Sequence, residues 1–219
     1  MSTAPAPETP MSTPHWYFDF VSPFSYLHWQ KLRQLPQARD IVPVPILFGA
    51  VLDQLGIRGP AEIDGKRLFT YRKVQWQAEH EGVPLRFPPT HPFNPLPALR
   101  LCIAAGTTVH AIDAIFDWLW RDGLAGDSAQ ALQPLAYALG LDAEAAVADP
   151  AVKAGLRANT EQALAAGVFG VPTLEIGGEL FWGNDAHGLM ATVLADPDWL
   201  RRGEAARLAE LPIGISRGA

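Results

Sequence analysis

The stretch Trp16-Tyr17-Phe18-Asp19-Phe20-Val21-Ser22-Pro23-Phe24-Ser25-Tyr26-Leu27 decides how the rest of the chain is read. Its first half, Trp16 to Val21, is aromatic and β-branched and predicts a buried strand. Its second half opens a helix: Ser22 suits the N-cap, Pro23 the first helical position, and Phe24, Leu27 and Leu32 an apolar face. A hydroxyl thus stands where a strand hands over to a helix N-terminus, whose unpaired N–H groups and positive dipole end favour an anion, a thiolate included. On local grounds alone, Ser22 reads first as a plain helix cap.

Working outward, the first helix is expected from Pro23 to about Leu35, ahead of Pro36, and a second strand over residues 41–48. Pro43 and Pro45 lie two apart, so their missing N–H groups point the same way, toward an unpaired edge. A strand, a crossover helix and a strand imply parallel pairing. From Gly49 to Ala148 the pattern is helical. Long helices are expected at Ala61–His80 and, with a strong apolar stripe, at Val109–Arg121. A proline-dense connector, residues 83–95, lies between them. Shorter helices are expected over residues 96–105, 128–139 and 150–166. Val171 to Ile176 and Glu179 to Trp182, joined by Gly177-Gly178, predict a hairpin, and Asn184 or Asp185 is expected to cap a last helix running to Ala195. This order predicts an α/β, thioredoxin-like domain (residues 14–48 plus 149–219), interrupted by a helical insertion domain (49–148) and preceded by a flexible tail (1–13).

Composition excludes several classes. The 219 residues are 48% hydrophobic and 18% charged, as in an ordinary globular protein. The net charge of −6, with scattered Lys and Arg, argues against a nucleic-acid partner. No apolar run approaches the ~18 residues that cross a bilayer. Residues 1–13 carry neither a basic start nor an apolar run, so a cytoplasmic location is expected. The single cysteine, Cys102, sits among aliphatics and reads as core, which rules out dithiol chemistry by this chain. The six histidines show no ligand spacing, so no metal site is expected.

Three motifs together, Tyr17–Leu27, Phe169-Gly170-Val171-Pro172-Thr173 and Phe181-Trp182-Gly183-Asn184-Asp185, resemble the 2-hydroxychromene-2-carboxylate isomerases. That family is related to kappa-class glutathione transferases and to DsbA, and the resemblance runs from about residue 14 to 195. It implies glutathione as cofactor. Ser22 would contact its sulfur, as a hydrogen-bonding aid to a thiolate that is itself the nucleophile. It also implies a cis bond before Pro172, leaving the Val171 backbone free to pair with glutathione as a short added strand. Trp182, Gly183, Asn184 and Asp185 would receive the γ-glutamyl end. For an aromatic substrate bearing a carboxylate, Phe48, Lys66, Arg72, His91 and Asn94 are candidates by position. Family members are often dimers, so the resemblance admits a homodimer, although no interface is legible in this chain.

The implied reaction is reversible thiolate addition to 2-hydroxychromene-2-carboxylate, bond rotation, and expulsion to give trans-o-hydroxybenzylidenepyruvate. A kappa-like transferase or peroxidase is the alternative; a non-catalytic DsbA-like binding protein is the third. The chain departs from the family's pattern in three places. Gly56-Ile57 stands for Gly-Asn, Ala186 follows the Asn-Asp pair where Arg is frequent, and Arg72-Lys73-Val74 replaces Arg-Asp-Leu.

Overall fold

The computed structural model describes residues 12–215, so all of the expected tail except Ser12 and Thr13 lies outside the described residues. The chain runs β1 (His15–Phe18), α1 (Pro23–Leu32), β2 (Val42–Pro45), α2 (Phe48–Leu55) and α3 (Lys66–His80). Then come α4 (Leu96–Ala104), α5 (Val109–Phe116), α6 (Ala129–Ala138), α7 (Ala143–Ala148) and α8 (Pro150–Ala165). It ends with β3 (Thr173–Ile176), β4 (Glu179–Trp182), α9 (His187–Ala195) and α10 (Gly203–Leu208). The sheet order is β2-β1-β3-β4, with β1 parallel to β2 and antiparallel to β3. This is a thioredoxin-like sheet, with α2 to α7 inserted between its two halves.

Edge placement of β2 follows from its prolines. Val42 and Ile46 donate their N–H groups to Pro14 and Phe18, so Pro43 and Pro45, on the other parity, face outward, where no donor is needed. Alternation along β1 fills both faces. Trp16 and Phe18 stack at 4.5 Å on one side, against Trp29 of α1 and Phe116 of α5. Tyr17 packs on the other with Val44, Ile46, Val51 and Ala163. The insertion shares this core, because Ile112, Phe116, Leu119 and Trp120 join Trp16, Phe18 and Leu27 in one buried cluster. Truncating a ring such as Trp16 to Ala would cost about 3–5 kcal/mol.

Several boundaries differ from the sequence-based expectation, each for a local reason. β1 stops at Phe18, not Val21, because the Asp19 carboxylate accepts the Val21 N–H at 3.0 Å and the Asp19 carbonyl accepts the Ser22 N–H at 3.1 Å. That turn ends strand pairing while leaving Phe20 buried. Phe48 opens α2 and does not extend β2, its N–H donating to Asp19 Oδ2 at 2.9 Å. α3 begins at Lys66, not Ala61, because Pro60–Glu62 form a separate 3-10 turn closed by the Glu62 carboxylate on the Gly59 N–H at 2.7 Å. α5 passes at Asp117–Arg121 into a wider π-helical turn, in which the Trp120 indole donates to the Phe20 carbonyl at 2.8 Å. The last helix is not capped by Asn184 or Asp185. Both lie in a 3-10 turn after Gly183, whose φ of +98° requires glycine.

Candidate functional site

Ser22 caps α1 as read from sequence. Its Oγ accepts the Ser25 N–H at 3.2 Å, and Pro23 follows at the first helical position. Accepting there leaves the hydroxyl proton available to a second partner. The peptide before it is held from both ends. The Val21 N–H goes to Asp19, and the Val21 carbonyl takes His91 Nε2 at 2.9 Å. A carbonyl only accepts, so Nε2 carries the proton. His91 is positioned in turn by Tyr71 of α3, whose hydroxyl lies 2.8 Å from Nδ1 and 2.7 Å from the His91 carbonyl.

Asp19 is fully buried with no cation among its hydrogen-bond partners. Burial pushes its carboxyl up to about 7, against the opposing pull of the Val21 and Phe48 N–H groups. Burial likewise lowers the His91 pKa, opposed by its bond to Val21. Behind α1, Trp16 Nε1 donates to His28 Nδ1 at 3.0 Å, and His28 Nε2 faces His187 Nδ1 at 3.4 Å. Desolvation, then the nearby His187 and Lys31, pull His28 down to about 3, so it is neutral at pH 7. With Lys31 Nζ on the Asn184 carbonyl at 3.3 Å, these contacts fasten α1 to the turn at residues 184–187.

A cleft of about 380 Å³ opens beside Ser22. Five expected residues line it: Ser22, Phe48, His91, Val171 and Trp182. Phe24, Leu52, Ile57 and Phe93 add apolar wall, and Asp53, Arg58 and Glu62 add charge. The peptide bond between Val171 and Pro172 is cis, as the resemblance implies. Among the described residues, the Val171 N–H and C=O make no hydrogen bond, whereas the Pro172 carbonyl accepts the Gly183 N–H at 2.9 Å. Trp182 lies over Gly170 so closely that a Cβ there would fall 2.3 Å from its indole nitrogen.

The other expected residues stand outside the lining. Lys66 and Arg72 are exposed on α3, and Asn94 Oδ1 accepts the Leu96 N–H at the start of α4. Pro172 and Gly183 contribute backbone behind Val171 and Trp182. Asn184 is buried, with both side-chain polar atoms unpartnered among the described residues. Asp185 is exposed, 3.9 Å from Lys73 Nζ, which in turn lies 5.7 Å from the Phe24 ring at the cleft. Asp19, His28, Tyr71 and Arg58 went unread in the sequence. Asp19 had a visible signal, a carboxylate inside an aromatic run three residues before Ser22. The others act through partners 12 or more residues away, or through a loop with no pattern of its own.

This fold and site define a thioredoxin-like protein with serine at the helix N-terminus, and comparison with known proteins agrees. The profile of the DSBA-like thioredoxin domain matches residues 15–195. A 2-hydroxychromene-2-carboxylate isomerase of Pseudomonas putida is 32% identical over 185 residues, covering 78% of this chain and 88% of that protein. That of Sphingobium xenophagum is 31% identical over 192 residues, covering 83% and 97%. A solved structure of a 2-hydroxychromene-2-carboxylate isomerase superposes with a TM-score of 0.71 at 27% identity, over 89% of this chain and 98% of the other. Glutathione S-transferase kappa 1 of Caenorhabditis elegans is 31% identical over 77 residues, about a third of each chain. The chain belongs to the DsbA-like thioredoxin-domain family, in the branch of the 2-hydroxychromene-2-carboxylate isomerases. Relatives bearing that name support an isomerase function here. Among the described residues no helix is long and apolar enough to cross a membrane.

Proposed function

We propose that the protein is a glutathione-dependent isomerase that converts an unsaturated aromatic acid of the 2-hydroxychromene-2-carboxylate type to its trans-benzylidenepyruvate isomer. One observation carries this reading: the Ser22 hydroxyl, at the N-terminus of α1, faces the same cleft as Val171, whose backbone N–H and C=O are unpaired. An extended tripeptide pairs with such a backbone as a short strand. The residues present fit glutathione on that account.

When bound, glutathione supplies a thiolate that adds to the unsaturated acid and is later expelled. The chain's own residues do the rest. Ser22 would donate an O–H hydrogen bond to that sulfur without giving up its proton, and the dipole of α1 would favour the thiolate charge. His91 and Asp19 hold the Val21 peptide, and so Ser22, in place. Phe48, Phe24 and Trp182 exclude water from the ring and shape the space in which it turns. Asp185 and Lys73, outside the lining but with Lys73 5.7 Å from the Phe24 ring, would suit the ammonium and carboxylate of a γ-glutamyl end. The reading carries with it a cytoplasmic location and pairing as a homodimer, the latter measurable by sedimentation.

The test is a pH titration of thiolate absorbance for glutathione bound to wild type and to Ser22→Ala. Wild type should lower the thiol pKa, and Ser22→Ala should lose that shift. Absence of binding, or an unmoved pKa, would remove both the isomerase and the kappa-like transferase readings and leave a non-catalytic binding protein.

A further inference from the structure

The cleft wall opposite in charge to an acid substrate is not where the sequence placed it. Lys66 and Arg72 stay outside, and among the described residues Arg58 is the one lysine or arginine lining the cleft. It stands in the loop between α2 and the 3-10 turn, directly after Ile57, whose apolar side chain lines the same wall. Its guanidinium donates to the backbone carbonyl of Glu62, which orients it while using one of five N–H groups. None of the ion pairs among the described residues includes Arg58. The adjacent Glu62 carboxylate accepts the Gly59 N–H at 2.7 Å and forms no ion pair with Arg58, which reaches only the Glu62 backbone carbonyl. Asp53, the other acid of the lining, is exposed on α2.

We infer that Arg58 is the carboxylate anchor of the second substrate, fixing an aromatic acid whose ring lies along Ile57, Phe48 and Phe93. A planar guanidinium meets a carboxylate with two parallel N–H···O bonds, so it sets orientation as well as affinity. With the acid group held at Arg58, the unsaturated carbons project along the apolar wall into the cleft that Ser22 lines. An oriented guanidinium beside an apolar wall selects acids over their neutral counterparts. This assignment rests on the proposed isomerase reading for its substrate class, but its test does not depend on turnover.

Calorimetry without glutathione would compare binding of trans-o-hydroxybenzylidenepyruvate and its methyl ester to wild type and to Arg58→Gln. Arg58 is exposed, so the variant folds. Loss of charge-assisted bonds should weaken the acid roughly ten- to a hundred-fold and leave the ester unchanged. In wild type the ester should bind as weakly as the acid binds the variant. Equal acid binding in both proteins, or no acid binding to wild type, overturns the anchor. So does a variant that loses glutathione while keeping the acid, since Arg58 would then serve the tripeptide's glycyl carboxylate. The thiol titration judges the isomerase reading separately. Activated glutathione with an indifferent Arg58→Gln sinks only the anchor, and acid binding through Arg58 with an unmoved thiol sinks only the isomerase.

Discussion

The Asp19 carboxylate accepts the Phe48 N–H at 2.9 Å through one oxygen and the Val21 N–H at 3.0 Å through the other. A single buried side chain therefore ties the turn that carries Ser22 to the first turn of the helix forming the opposite wall.

That tie titrates, and its sign opposes that of His28. Asp19 rises from 3.8 to about 7 in the fold, so its stabilising share is present below about 3.8 and lost as pH climbs through 7. His28 falls from 6.5 to about 3, so its share is present above 6.5 and lost as pH drops toward 3. Between pH 4 and 6.5 the two slopes cancel in large part. Urea midpoints of wild type should therefore vary little there. In Asp19→Asn the midpoint should rise with pH, and in His28→Gln it should fall. Parallel profiles for the three proteins would show that neither group carries its assigned shift.

Capping and sulfur activation by Ser22 are separable. Ser22→Ala should cost about 1 kcal/mol of stability through loss of the cap. Ser22→Asp keeps a cap that accepts the Ser25 N–H, so its thermal midpoint should stay near wild type. Its negative charge would, however, repel a thiolate, and the bound glutathione pKa should rise above that in wild type. A variant with Asp at this position that still lowers the thiol pKa would assign the effect to the helix dipole alone.

Trp182 occupies the space beside Gly170, and a Cβ at that residue would reach to 2.3 Å from its Nε1. The indole is 55% exposed and can swing outward, so Gly170→Ala should cost little stability. Moving it uncovers the wall next to Val171. Glutathione affinity should drop several-fold, with a shift in tryptophan emission toward the solvent-exposed range. Unchanged affinity would mean that Trp182 plays no part in the tripeptide's site.

Tyr71 supports His91 from α3 through its hydroxyl. Tyr71→Phe removes that one oxygen and leaves the His91 carbonyl and Nδ1 without a partner. Denaturation should report a loss of about 1–3 kcal/mol. If the loss is negligible, solvent replaces the hydroxyl and the His91 strap is not set from α3.

The α/β order, the outward prolines of β2 and the helix start at Ser22 were legible in the chain because each rests on neighbours within a few residues. An unbroken aromatic and β-branched run marked β1 as a buried strand, and Pro43 with Pro45 marked an edge. The resemblance of three short motifs assigned Ser22, Val171 and Trp182 to one site, and all three line one cleft. Local signals were weaker at the element ends. Asp19 shortened β1 by spending its carboxylate on two backbone donors, one of them 29 residues ahead, and no windowed pattern registers such a bond.

Sequence alone thus determined the order of the main strands and helices and which serine stands at a helix N-terminus, since propensity, capping and proline geometry act locally. Tertiary structure alone decided which charges meet the cleft. Lys66 and Arg72 had the right chemistry but stay exposed on α3 outside the lining, and Arg58 had no signal beyond a loop that folds over the wall. It also decided that Asp19 and His28 are buried and shifted. Desolvation is a property of everything packed around a group, and most of that packing comes from distant parts of the chain.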